Sequence, residues 1–99
     1  MTDKQFEDAL TAAGMWFFLK EYTTIRDWNG TKVDLIEKLY LEGFDRDISG
    51  TRTRTNASIR IIDEGRAKEA LERIRDSKIV NRKHPEAEKL AADLIAKKG

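Results

Sequence analysis

The chain has 99 residues, 37% of them charged, with a formal net charge of +1 at pH 7. This length has room for one hydrophobic core, so residues 1–99 are expected to form a single domain. The absence of cysteine excludes disulfide bonds and cysteine-ligated zinc. The chain shows no signal-peptide pattern, and its longest apolar run, residues 15–19, is too short to span a bilayer, so we expect a cytoplasmic protein with no membrane partner.

The charges are unevenly distributed along the chain. Acidic residues outnumber basic ones in residues 1–51, and basic residues outnumber acidic ones in residues 52–99. A basic half suits a polyanionic partner, although a solvated surface with mixed ion pairs would produce the same bias.

The N-terminal third of the chain shows the spacing of a helix. Thr2 and Gln5 form a capping-box pattern, and apolar residues follow at helical intervals. We predict one helix over residues 3–22, bent at Gly14, with its second half buried. A buried strand over residues 15–19 is the alternative, because periodicity does not separate the two in so short a run.

A turn at residues 28–30 precedes the next predicted helix, which spans residues 31–42. Thr31 is its expected N-cap, and Gly43 is its natural end. The expected buried stripe consists of Val33, Leu35, Ile36, Leu39 and Tyr40.

The remaining segments complete an all-α prediction of four to five helices. Residues 45–54 have no regular period, and a third helix is expected to start at a cap on Thr55 or Asn56 and to stop at Gly65. A fourth helix follows over residues 67–74. The last parts of the chain are Ile79 and Val80, in a connector or a short strand, a final helix starting at Pro85, and fraying terminal residues 97–99.

The residue types and their spacing give little indication of a catalytic site or a metal site. The one histidine, His84, precedes a helix-starting proline and is expected to be a surface or capping residue, and no glycine-rich phosphate loop occurs. Residues 45–50 overlay the start of a calcium loop, but Asn56 stands where a glutamate is needed, and Arg52 and Arg54 bring positive charge inside it. We therefore expect no enzyme, no catalytic residue, no cofactor and no metal.

Four short stretches in residues 35–62 resemble a helix-turn-helix DNA-binding unit. They are the apolar residues Leu35, Ile36 and Leu39, the exit Glu42–Phe44, the pair Ile48 and Ser49, and the run Thr55–Ile62. The resemblance implies that residues 55–62 form a recognition helix whose N-terminal residues meet base edges in the major groove. Asn56 would then read adenine, and Arg60 would read guanine or a phosphate.

The resemblance also implies phosphate contacts, which Arg52 and Arg54 would make from the segment before this helix. The full predicted nucleic-acid-binding set is Lys32, Arg52, Thr53, Arg54, Thr55, Asn56, Ser58, Arg60, Arg66 and Lys68. The resulting functional hypothesis is a non-catalytic DNA-binding protein, a small phage- or plasmid-type regulator. A homodimer would favour a regulator of this kind, since the two half-sites of its DNA target would mirror the two-fold symmetry of the protein.

The alternative hypothesis is a small helical protein-binding module, such as an accessory or inhibitor protein acting on a larger machine. Aromatic residues that the core does not bury would form its partner surface. We assign Trp16 and Phe17 to the core, and Trp28, beside a turn, is the better surface candidate. The segment of alternating threonine and arginine, residues 51–55, could equally bind an acidic protein.

Overall fold

The computed structural model describes residues 1–97, and in this range the chain is all helical, as the sequence predicts. The helices are α1 (Asp3–Ala13), α2 (Met15–Arg26), α3 (Lys32–Tyr40), α4 (Ile48–Asp63), α5 (Ala67–Arg75), α6 (Lys78–Lys83) and α7 (Ala87–Lys97). Of the terminal residues expected to fray, Lys97 ends α7, and residues 98–99 lie outside the described residues.

The first predicted helix is two helices that meet at Gly14. The capping box predicted at its start is confirmed, because Thr2 accepts a hydrogen bond from the backbone N–H of Gln5 and Gln5 bonds back to the backbone of Thr2. Gly14 has φ +81° and ψ 126°, which interrupts the helical hydrogen-bond ladder. The second helix continues to Arg26, and the alternative of a strand over residues 15–19 is wrong.

Two clusters of buried residues form the core, and α2 contributes to both. The larger cluster joins Phe6 of α1 and Phe18 of α2 to side chains of α4, α5 and α7. The smaller one joins Phe17 of α2 to Leu35 and Leu39 of α3. Because adjacent positions of α2 point into different clusters, its first part, residues 15–19, is apolar nearly all round.

The largest difference from the sequence prediction concerns α4. It begins at Ile48, where Asp47 accepts a hydrogen bond from the backbone N–H of Ser49 at 2.9 Å. This bond from a backbone donor lowers the pKa of Asp47 below its usual range. The expected irregular segment over residues 48–54 is therefore helical, and the predicted cap at Thr55 or Asn56 is wrong.

Three smaller corrections concern exposure and helix ends. Val33, placed in the buried stripe by its spacing, is 65% exposed, whereas Leu35 and Leu39 are buried as expected. The segment around Ile79, expected to be a connector or a short strand, forms the six-residue helix α6. The last helix begins at Ala87 and not at Pro85, so the proline lies in the turn before it.

Substitution of Gly14 tests how the helix break is held. A Cβ at this position would collide with Nη1 of Arg54, and φ is positive. Gly43 also has a positive φ, of +88°, but a Cβ there would meet no atom within 4 Å. We expect Gly14→Ala to lower the free energy of unfolding by about 3 kcal/mol and Gly43→Ala by about 1 kcal/mol. Urea unfolding of both variants measures this, and equal losses would contradict the collision with Arg54.

Substitution of Glu21 tests a buried carboxyl group on α2. Burial raises the pKa of Glu21 above its usual range, and nearby Glu42 adds to the rise. The folded protein then holds this proton more tightly than the unfolded chain, so the group's contribution to stability falls as pH rises from 4.5 through the folded pKa. We expect Glu21→Gln to stabilise the protein at pH 7 and to lose most of that gain at pH 4. Urea unfolding at both pH values measures this, with Glu37→Gln at an exposed position as control. A gain in the free energy of unfolding that did not depend on pH would contradict the prediction.

Candidate nucleic-acid interface

The outer face of α4 carries four of the predicted nucleic-acid-binding residues. Arg52, Thr53, Asn56 and Arg60 are all exposed, at the i, i+1, i+4 and i+8 positions that share one side of a helix. Neither Arg52 nor Arg60 forms an ion pair with any residue in the described part of the chain. No acidic residue occurs between Ile48 and Ile62, and although the charges of Arg52 and Arg60 help to lower the pKa values of Asp47 and Glu64, this face presents positive charge without a direct ion pair.

The inner face of α4 removes two predicted residues from the interface. Thr55 and Ser58 are fully buried and cannot reach a nucleic acid. The hydroxyl of Thr55 donates to the carbonyl of Thr51 at 2.8 Å, and that of Ser58 donates to the carbonyl of Arg54 at 2.9 Å. These bonds to the preceding turn satisfy the hydroxyls inside the protein, so both side chains serve packing.

Arg54, predicted to approach a phosphate, instead holds the fold together. Its Nε donates to both oxygens of Asp45 at 3.0 and 3.2 Å, and its Nη1 donates to the carbonyl of Ala13 at 3.0 Å. The side chains of Arg54 and Asp45 are only 32% and 15% exposed. Thr51 also donates to Asp45 at 3.1 Å, so the first oxygen ligand of the calcium-loop overlay is taken up by internal partners. Among residues 1–97, no group of three or more acidic or histidine side chains is placed to hold a metal ion.

The three outer residues of the predicted set have different surroundings. Arg66 is held by Glu69 at 2.8 Å and by Asp3 at 2.9 Å, and its hydrogen bond to Glu69 raises its pKa above the usual range. It therefore stabilises the packing of α5 on the start of α1. Lys68 is exposed on α5, and Lys32 is exposed at the start of α3, where it borders a cleft shared with the C-terminal half of α4.

A groove between α1 and α4 adds two residues that the sequence did not suggest. Gln5 and Asp8 of α1 line it opposite Asn56 and Arg60 of α4, and its volume is about 460 Å³. Its other lining residues are Ala9, Ala12, Thr53 and Ala57. Asp8 is paired with Lys4 at 3.3 Å. Nothing in the local sequence indicates that α1 packs beside α4, so these neighbours become visible only in three dimensions.

The helices that resemble a helix-turn-helix unit are α3 and α4. Residues 41–47 connect them, which is longer than the roughly three- to four-residue turn of that motif. The hydroxyl of Tyr40 donates to the carbonyl of Arg46 at 3.1 Å and so ties this connection to the end of α3. The proposed recognition segment, residues 55–62, is the second half of α4 and not a separate helix.

The aromatic side chains in residues 1–97 are all buried or partly buried, so they offer little exposed surface to a partner. Phe17 is in the core as expected, and Trp28, the surface candidate, is half-buried with its indole N–H donating to the carbonyl of Thr31 at 2.8 Å. Trp16, which the sequence also assigns to the core, is only partly buried. Its indole lies parallel to the imidazole of His84 at 3.8 Å, a contact that the sequence did not reveal.

Comparison of the chain with protein-family models, curated proteins and solved structures gave no significant match. None of the helices in residues 1–97 is long and apolar enough to cross a membrane.

Alanine substitutions at Arg52 and Arg54 separate an interface residue from a fold residue. Arg54→Ala leaves Asp45 and the carbonyl of Ala13 without this donor, so we expect a loss of about 1–3 kcal/mol in the free energy of unfolding. Arg52→Ala removes an exposed side chain and should change it by less than about 0.5 kcal/mol. Urea unfolding of the two variants measures the difference, and equal effects would show that the hydrogen bonds of Arg54 contribute nothing.

Proposed function

We propose that this chain is a non-catalytic DNA-binding protein that places the outer face of α4 in the major groove of duplex DNA, as a small regulator of the phage or plasmid type would. One observation carries the proposal: the outer face joins two unpaired arginines and an asparagine on a helical stretch, residues 48–62, that contains no acid. DNA carries a dense line of phosphates, and cations that lack internal partners are the side chains left to neutralise it.

The chemistry of each exposed side chain assigns its role. The amide of Asn56 can form a paired hydrogen bond with adenine, and the guanidinium of Arg60 suits guanine or a phosphate. Arg52, one turn nearer the N-terminus, suits a phosphate oxygen. The hydroxyl of Thr53 already donates to the carbonyl of Ser49 at 3.1 Å, so its methyl group is the part left to touch a thymine methyl.

The dimensions of an α-helix support this mode of binding. A helix with its side chains is about 10–12 Å across, and the major groove of B-DNA is about 12 Å wide. Because the inner face of α4 is fixed by buried hydroxyls and by Arg54, the outer face is held on a rigid element before it meets DNA. Such preorganisation lowers the entropy lost on binding.

A second candidate function, protein binding, is favoured by apolar exposure on α3. Val33 near its start is 65% exposed, and Leu41 at its C-terminal cap is 83% exposed. Exposed aliphatic side chains at both ends of one short helix suit a partner surface or a homodimer interface.

The double substitution Val33→Asp and Leu41→Asp should abolish such an association, as measured by sedimentation. The affinity of the monomeric protein for DNA should stay unchanged.

A salt titration of binding to random duplex DNA tests the proposed function. The logarithm of the DNA-binding constant falls linearly with the logarithm of the salt concentration. The steepness of this line should decrease by about 0.9 for each phosphate that the protein no longer neutralises. We therefore expect Arg52→Ala and Arg60→Ala each to flatten the slope by about that amount. Asp8→Asn should act in the opposite direction and tighten binding, because it removes the negative charge that borders Arg60 in the groove between α1 and α4.

The matched control is Lys89→Ala, which removes one positive charge from α7. Lys89 pairs with Asp93 on the surface, so its removal should leave the slope as it is. Absence of binding at low salt, or equal slopes for Arg52→Ala, Arg60→Ala and wild type, would refute the proposal. Arg54 stays intact in every variant, so that unfolding is not mistaken for the removal of a DNA-binding side chain.

A further inference from the structure

A second groove lies where the start of α2 meets α6 and the side chain of Arg54. We call it the Trp16 groove, and it has a volume of about 370 Å³. Its lining includes Trp16, Phe44, Arg54, Ile79, Lys83 and His84. This volume is within the range of small-molecule sites, about 300–1,000 Å³, and no acidic side chain lines the groove.

The groove contains a stacked aromatic pair. The rings of Trp16 and His84 are nearly parallel, with centroids 3.8 Å apart and an interplanar angle of 5°, so each covers one face of the other. The Nζ of Lys20 lies over the Trp16 ring, 5.6 Å from its centroid. Phe44, also in the lining, meets the buried ring of Phe17 edge to face at 5.0 Å. The outer face of His84 is therefore the flat surface left to stack with an aromatic ligand.

The same groove offers cationic donors. Lys83 is exposed and forms no ion pair within residues 1–97. Arg54 uses Nε and Nη1 for its hydrogen bonds to Asp45 and Ala13, and its Nη2 makes no hydrogen bond to the described residues. Asp45 offsets the charge of Arg54, so Lys83 supplies the net positive charge and Arg54 supplies directed N–H groups.

The surroundings of the groove reinforce both features. Ile79, on the α6 side, is 69% exposed and adds apolar surface to the groove. Residues 77–85, which include α6, contain three Lys/Arg residues and no acid. An occupant would thus cover apolar surface while its charge meets a basic segment.

We propose that the Trp16 groove binds a nucleoside phosphate, with the base stacked on the outer face of His84 and in contact with Ile79, and the phosphate at Lys83 and Arg54. Aromatic stacking combined with cationic donors is the chemistry by which proteins hold unpaired nucleotides. The nucleotide is either free in solution or part of a single strand. This site is separate from the outer face of α4, and the inference holds whether or not that face binds duplex DNA.

Fluorescence of Trp16 is the direct probe of occupancy. The chain has two tryptophans, so a Trp28→Phe background leaves Trp16 as the only tryptophan emitter. We expect AMP to quench its emission in a saturable manner and adenosine to bind about tenfold more weakly, because adenosine has no phosphate to accept charge-assisted hydrogen bonds. Oligo(dA) of eight residues distinguishes the source: a much tighter oligonucleotide indicates a single strand, and equal affinity indicates a free nucleotide.

Substitutions locate the site and separate stacking from folding. Lys83→Ala and His84→Ala should each weaken AMP binding about tenfold, whereas His84→Phe, which keeps a flat ring, should retain it. Lys89→Ala is the charge control, and Arg52→Ala should leave AMP affinity unchanged because Arg52 lies outside this groove. If His84→Ala does not fold, the comparison of Lys83→Ala with Lys89→Ala decides.

Three outcomes would overturn the proposal. One is the absence of AMP and oligo(dA) binding at millimolar concentration. Another is binding that Lys83→Ala and His84→Ala do not change. The third is saturable binding of an acidic peptide with a phenylalanine, such as Glu-Glu-Phe-Glu, by a protein that does not bind AMP, which would assign the groove to a protein partner.

Discussion

The fold depends on one half-buried guanidinium, that of Arg54, which links α4 to the end of α1 and to the connection that precedes α4. It donates to Asp45 in the connection before α4 and to the carbonyl of Ala13, at the end of α1. The last carbonyls of a helix have no partner within that helix, so a cation at this place is favourable both as a donor and against the helix dipole. Gly14 leaves room for the guanidinium, and the break between α1 and α2 is therefore tied to the position of α4.

This arrangement divides α4 into an inner face for folding and an outer face that is not needed for folding. The inner face uses small hydroxyl residues, Thr51, Thr55 and Ser58, which are fully buried. Thr55 and Ser58 donate to carbonyls one turn earlier, and Thr51 donates to Asp45, so short side chains allow neighbouring helices to approach without leaving unsatisfied polar groups. The outer face then needs no internal partner, and its orientation is set entirely by the packing of the other side of the helix.

The sequence predicts local features well and non-local pairings poorly. The caps at Thr2 and Thr31 and the buried residues Leu35 and Leu39 depend on neighbours within one or two turns, and the structure confirms them. The start of α4 is not predicted because the inner face of this helix consists of hydroxyl residues. A search for the spacing of aliphatic side chains does not detect them. Their spacing at positions 51, 55 and 58 is nevertheless helical, and this spacing is the signal that could have found it. Arg54 and Arg66 also have partners 41 and 63 residues away, the carbonyl of Ala13 and the carboxylate of Asp3, and no local pattern could show these contacts across the fold.

The distribution of acids explains why some arginines are internal partners and others are free. In the described residues, Arg26, Arg54, Arg66, Arg73 and Arg75 form ion pairs, whereas Arg46, Arg52, Arg60 and Arg82 do not. Three of the four unpaired arginines lie in residues 48–62 or 77–85, which contain no Asp or Glu. In a chain with nearly balanced charge, such a run contains no carboxylate of its own. Asp47 and Glu64 at the ends of α4 feel the charges of Arg52 and Arg60 but form no ion pair with them, so these cations stay available to an external anion. The two proposed sites draw their cations from these two runs, which hold three of the four unpaired arginines, and not from the mixed-charge helices α5 and α7.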